Sequence, residues 1–273
     1  MLLSVFLLCV LLGSVVGFCA GLLGIGGGLI IVPALVYLLP QLGIESNLVM
    51  PMALGTSLAT IVVTSFSAAL AHHRNKNIPW RLAKQLMIAV GTGSLLGAFI
   101  ADVLSVDALK NTFAIAVFLL SSYMFIAINN TRKNKMIINN EDEKLPANII
   151  IKGIGFFTGI LASLMGIAGG AILVPILSHY RVPLRQSIGV ATVSGMVVAT
   201  FGVAGYVIAG FGKVNLPEFS LGYVYLPALL GIIITSSFFA PIGVKAANKL
   251  PVRTIKKAFA IFLMLVAVKM ILS

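Results

Sequence analysis

Charged residues fall along the chain in short clusters separated by long apolar runs. Charge-free stretches cover 1–44, 46–73, 85–101, 111–131, 153–180, 186–212 and 219–244. A membrane-spanning helix needs roughly 20 apolar residues. The pattern therefore predicts spans near 47–72, 80–102, 107–128, 186–210, 222–247 and 252–272. The first stretch and 153–180 are too long for one helix and short for two. Glycine and proline interrupt both in the middle, at Gly24, Gly26, Gly27, Gly28 and Pro33, then at Gly166, Gly169, Gly170 and Pro175. Each reads as a helix, a break and a shorter helix. The expected fold is an all-α polytopic membrane protein with eight to ten spans, depending on whether each broken segment crosses or re-enters.

One polar linker, 129–147, divides the chain into a first membrane repeat, 1–128, and a second, 148–273. The halves are copies. Gly17–Leu35 laid on Gly159–Leu177 matches at 11 of 19 positions, including Gly24/Gly166, Gly27/Gly169, Gly28/Gly170 and Pro33/Pro175. Near the repeat ends, Phe113-Ala114-Ile115 matches Phe259-Ala260-Ile261, and between these regions Thr56 faces Thr192 in a weaker alignment. Apolar composition alone would not bring Gly-Ile-x-Gly-Gly and Val-Pro into register. Met1–Cys19 resembles a signal peptide, but it lacks a basic start and belongs to the repeat, so it reads as mature protein.

Lysine and arginine set the orientation. Arg74, Lys76, Arg81 and Lys84 assign 73–84 to the cytoplasm, while 103–106 carries no basic residue and is expected outside. In the second half, Lys245, Lys249, Arg253, Lys256 and Lys257 assign 245–257 to the cytoplasm, and 211–221 holds only Lys213. The linker is expected inside, with the halves oppositely oriented as inverted repeats. A parallel duplication with eight spans is the alternative.

Composition narrows the function classes. Apolar residues make up 59% of the 273 and charged residues only 10%, against about 25% charged in soluble domains. Mean hydropathy is +1.10. A soluble enzyme, a nucleic-acid-binding domain and a disordered tail are excluded. The net charge of +12 then reflects cytoplasmic loops and not a nucleic-acid partner. Cys9 and Cys19 have neither metal-ligand nor disulfide-framework spacing.

The doubled motif, Gly24–Pro33 and Gly166–Pro175, together with Leu54-Gly55-Thr56-Ser57, resembles the sulfite exporter TauE/SafE family over about residues 4–272. That resemblance implies a permease or exporter moving sulfur-containing anions such as sulfite and organosulfonates. Where the first half has Thr56-Ser57, the second has Thr192-Val193-Ser194, a departure from a two-fold polar site.

Independently of the resemblance, a helix N-terminus exposes unpaired N–H groups and partial positive charge, which suit an anion. Irregular backbone at membrane depth is tolerated where protein or water covers it. The expected substrate-binding groups are therefore Gly26, Gly27, Gly28, Gly169 and Gly170, with the hydroxyls of Thr56, Ser57, Thr192 and Ser194. Close helix packing by small residues competes as an explanation of the glycines. His72 and Lys245 are pathway candidates, against helix capping and snorkelling to the interface respectively. His73 and His179 read as helix-end residues. Trp80, Tyr223 and Tyr225 read as interfacial anchors.

Glu45, Asp102, Asp107 and Glu218 lie at span ends, and no carboxylate is expected at a span centre. This disfavours a cation transporter. A membrane-embedded enzyme would need a nucleophile, base or metal cluster at depth, and no such constellation is apparent. Transport of another small solute or cation, by carrier or channel, is the alternative reading. The expected partners are a small anion and the lipid bilayer, with no cofactor, no metal and no nucleic acid, and homo-oligomerisation left open. The expected location is a bacterial or archaeal inner membrane.

Overall fold

The computed structural model describes residues 2–23, 27–130, 147–247 and 252–272. Gly24, Gly26 and most of the polar linker lie outside these. The first half forms α1 (Leu2–Leu23), α2 (Gly28–Leu38), α3 (Ser46–Arg74), α4 (Trp80–Val103) and α5 (Val106–Asn130), with a single 3-10 turn at Leu39–Leu42. The second forms α6 (Asn148–Leu164), α7 (Gly170–His179), α8 (Leu184–Gly210), α9 (Leu226–Ala247) and α10 (Val252–Leu272). Each half therefore opens with a helix, a glycine break and a short helix. Ser46–Arg74, Trp80–Val103, Val106–Ile126 and Arg185–Gly210 are long and apolar enough to cross a membrane, and shorter apolar helices accompany them.

The span expected at 222–247 begins late. Residues 220–225 instead form an antiparallel hairpin of two-residue strands, β1 (Ser220–Leu221) and β2 (Val224–Tyr225). Gly222 turns it with a φ of +53°, a conformation that favours glycine.

Helices α3 and α8 cross at the centre, and α3 is the more completely buried. They run antiparallel: Gly55 lies against Tyr206, and Gly202 against Leu58. The most extensive packing joins the halves, α1 with α9 and α4 with α6. These two pairs are equivalent under exchange of the repeats. Both use glycine to let backbones approach. Gly13 and Gly17 meet Ile232 and Ser236, while Gly93 and Gly97 meet Phe156 and Ile160. Outside, α5 and α10 pair with each other and expose Ile115, Leu119, Ile261 and Leu265. In water such an apolar exterior would aggregate; in lipid it is the ordinary surface.

Two opposite ends can be followed through the bundle. At one, Asn215 Nδ2 donates to Glu45 Oε1 at 2.7 Å, and Lys213 pairs with Asp102 at 2.9 Å. At the other, the Asn77 carbonyl abuts Gly189, and Lys257 sits 6.0 Å from the Phe125 ring centre. Helix α1 runs parallel to α9 from the first end, with Cys9 beside Gly231 and the Val10 carbonyl accepting from Thr235. Helix α6 runs parallel to α4 from the second, with Gly155 beside Leu86 and Ile160 beside Gly97. After its break each chain turns back towards the end it entered from.

Candidate functional site

The two breaks touch near the middle of the bundle. Gly28, the first residue of α2, lies against the Gly166 carbonyl, and a Cβ there would also stand 3.1 Å from Ile167 Cα. Ser57 Oγ donates to that same carbonyl at 2.7 Å. One half thus clamps the break of the other. Gly166 holds a φ of +61°, with Val32 and Leu54 closing around it.

The N-termini of α2 and α7 are built differently. At α2, Gly27 caps in the ordinary right-handed region, φ −80°, and accepts the N–H groups of Ile30 and Ile31. At α7, Gly169 caps in the left-handed region, φ +67°, and accepts from Ile172 and Leu173. In each case the first two amides, those of Gly28 and Leu29 and of Gly170 and Ala171, precede any carbonyl their own helix can offer. Facing α7, Ala191 lies 3.8 Å from a Cβ placed on Gly170, and Val198 3.5 Å from one on Gly169. Gly195 abuts the Ala168 carbonyl. Ser194 belongs to this face of α8. It is wholly buried, and its hydroxyl has no hydrogen-bond partner among the described residues. Ser163, in the last turn of α6, is buried and unpartnered in the same way. An unsatisfied buried hydroxyl costs about 1–3 kcal/mol, a cost that a hydrogen-bonding solute would offset.

The other expected residues have defined places. Thr56 Oγ1 accepts from the Tyr225 amide at 2.9 Å, tying α3 to the β-hairpin. Thr192 donates to the Ile188 carbonyl of its own helix at 2.7 Å. Gly27 packs against Val16. Gly26 lies outside the described residues. His72, in the last turn of α3, is 15 residues beyond Ser57, about 22 Å along the helix axis. Its Nδ1 stands 3.5 Å from Asn77 Nδ2. Lys245 lies near the end of α9, and its side chain is outside the described residues. The structure brings Gly28, Ser57 and the second break together, and it sets His72 well apart from them.

Tyr223 and Tyr225, expected as interfacial anchors, are instead buried at 3% and 2% exposure. The hairpin turns them inward, where a carboxylate and a ring partner wait. Tyr223 donates to Asp102 Oδ1 at 2.6 Å and meets the Tyr206 ring edge-on. Burial and the adjacent Asp102 carboxylate both push the Tyr223 phenol above its ordinary range. Trp80 does keep an exposed position at a helix start. Sequence reasoning treated Asp102 only as a span-end acid. The available signal was its place in the last turn of α4, opposite a loop whose single cation is Lys213. Among the described residues no group of three potential metal ligands occurs.

Residues 9–270 match the sulfite exporter TauE/SafE family. The chain belongs to that family. A probable membrane transporter protein of Haemophilus influenzae is 41% identical over 98% of both chains. A probable membrane transporter protein of Methanocaldococcus jannaschii is 27% identical, over 89% of this chain and 86% of that one. No solved structure matches. The protein is a membrane transporter, its substrate a small solute and its surroundings a lipid bilayer.

Proposed function

We propose that this transporter moves small oxyanions, sulfite or short organosulfonates, through a site between two inverted repeats, 1–128 and 148–273. The observation that carries the reading is the abutting pair of glycine breaks, with Ser194 buried and unpartnered beside the start of α7. Backbone amides supply positive potential without a titratable group, and a hydroxyl adds a directed donor. The described acids, Glu45, Asp102, Asp107 and Glu218, lie at helix ends or in the loop between α8 and α9, away from the breaks. Uptake of labelled sulfite and a short sulfonate into proteoliposomes, against a panel of cations and neutral solutes, tests the substrate class. Anion uptake is expected. Movement of sodium or an amine with no anion would sink the reading.

The inverted arrangement is supported by the antiparallel crossing of α3 with α8 and by hairpins that enter from opposite ends. In a bacterial or archaeal inner membrane, 73–84 and 245–257 would then face the cytoplasm, with 103–106 and 211–221 outside. Cysteines placed at Lys76, Ser105 and Lys257 are expected to label with an impermeant reagent in whole cells only at position 105. Labelling of 76 and 257 from opposite sides would favour parallel halves.

A further inference from the structure

Two buried tyrosines form a column from the second glycine break to the end of the bundle where Asp102 pairs with Lys213. The Gly166 amide and the Tyr206 hydroxyl both donate to the Ser163 carbonyl, each at 3.1 Å. Tyr206 is wholly buried on α8, and its own carbonyl accepts the Tyr223 amide at 3.2 Å. The two rings meet edge-on with centres 6.4 Å apart. The Tyr223 hydroxyl then donates to Asp102 Oδ1, the same oxygen that Lys213 approaches. Those last two side chains are 21% and 42% exposed, so the column ends at the surface.

The segment that supplies Tyr223 depends on its neighbours for its shape. Its hairpin pairs only two residues per strand, and a two-stranded hairpin is marginal by itself. Within 211–225, Gly212, Asn215, Phe219 and Gly222 all hold positive φ. For a bulky residue such as Phe219, at +62°, that backbone is an outlier. Strained residues persist where surrounding structure fixes them, and they gather at switching segments. The ties that fix this segment cross from the second half to the first. Tyr223 and Lys213 bind Asp102, Asn215 binds Glu45, and the Tyr225 amide binds Thr56. Thr56 directly precedes Ser57, whose hydroxyl holds the Gly166 carbonyl of the break. Movement of one half against the other would have to release these contacts together. We infer that residues 211–225 form a gate over the break, with the Tyr206–Tyr223 pair as its plug and the Asp102 carboxylate as its catch. The inference rests on the proposed reading that the breaks receive the solute, and not on which solute it is.

Thiol labelling of the detergent-solubilised full chain, with Cys9→Ala and Cys19→Ala removing the native thiols, tests this directly. Ser163→Cys reports access to the break. Ser187→Cys, buried near the opposite end of α8, reports general loosening. Both are expected to label slowly when the gate is intact. Tyr223→Phe strips the phenol from the catch and is expected to speed labelling at 163 about tenfold, the shift in an opening equilibrium from one lost hydrogen bond to a charged group. Lys213→Gln, at a half-exposed position, is expected to speed it about twofold, as for a surface ion pair. Labelling at 187 is expected to stay constant in both variants. Unchanged labelling at 163 in Tyr223→Phe would overturn the gate. Equal acceleration at 163 and 187 would overturn it too, since the tyrosine would then only stabilise the bundle. The labelling needs no solute, so the gate can fail while anion uptake stands, and uptake can fail while the gate stands.

Discussion

The two glycine breaks carry one motif but refuse a side chain for opposite reasons. In the first, Gly27 has a φ of −80° that any residue adopts, and Gly28 has no positive φ either. What excludes a Cβ is packing: Val16 closes on Gly27, and the Gly166 carbonyl closes on Gly28. In the second, a Cβ on Gly169 would find only ordinary contacts at 3.5 Å, and on Gly170 a single one at 3.8 Å. At Gly169 the backbone excludes it, with φ at +67°, while Gly170 has room for one. The first break is a joint between the halves. The second has room for a Cβ near the buried Ser194 hydroxyl, and it is where the proposed function puts the solute.

The sharpest way to break this contrast is to add the same methyl group at equivalent positions. Gly28→Ala drives a carbon into a backbone carbonyl that also accepts from Ser57, and backbone cannot rotate away as a side chain can. A loss of about 3 kcal/mol is expected, at the upper end of overpacking costs. Gly170→Ala meets only Ala191 and is expected to leave stability within about 1 kcal/mol, the scale of the glycine-to-alanine difference in a helix. Its anion uptake is nevertheless expected to fall about tenfold, the size of one weakened hydrogen bond to a charged group, about 1.5 kcal/mol. A thiol-reactive dye reporting exposure of Cys9 and Cys19 on heating reads stability, and proteoliposome flux reads function. Equal destabilisation by both substitutions would erase the distinction between the breaks.

Much of this architecture is legible in the sequence because it rests on local rules. Charge spacing marks α3, α4, α5 and α8 to within a few residues, and the doubled Gly-Ile-x-Gly-Gly marks both hairpins. What is not legible depends on neighbours brought in by folding. Gly27/Gly169 and Gly28/Gly170 look interchangeable until Val16 and Gly166 are in place. The run Leu221-Gly222-Tyr223-Val224-Tyr225 is apolar enough to read as the start of a span. Only the Asp102 carboxylate and the Thr56 hydroxyl, far away in the chain, explain why it folds as a hairpin with its tyrosines inward. Thr56 and Ser194 are also indistinguishable as hydroxyls, although one is bonded to the Tyr225 amide and the other has no partner among the described residues.

A smaller effect separates backbone strain from lost space. Gly169→Ala has room but must hold a left-handed conformation, which costs an L-residue roughly 1–2 kcal/mol. Gly169→Asn is expected to recover part of that loss, since asparagine visits this region more readily. Gly27→Ala and Gly27→Asn, with a permitted backbone and Val16 in the way, are expected to rank in the reverse order by side-chain size. Melting temperatures of the four variants in one detergent check the crossover. The same rank order at both positions would mean that the two caps are limited by one cause.

The smallest expected change in stability is the most informative about function. Ser194→Ala deletes a hydroxyl that makes no hydrogen bond among the described residues and strands no partner there. Removing an unsatisfied buried group is neutral or stabilising, by at most about 1 kcal/mol where water already relieves part of the cost. Ser57→Ala is its control, because it strips a donor from the Gly166 carbonyl and should lower stability. If the second break receives the substrate, Ser194→Ala weakens anion affinity while its melting temperature holds or rises, a combination that packing alone does not produce. Cysteine at the same position keeps a weaker donor of similar shape, so Ser194→Cys is expected to fall between wild type and alanine in affinity. An alanine variant with wild-type affinity would place the solute elsewhere and leave the free space beside α7 without a transport role.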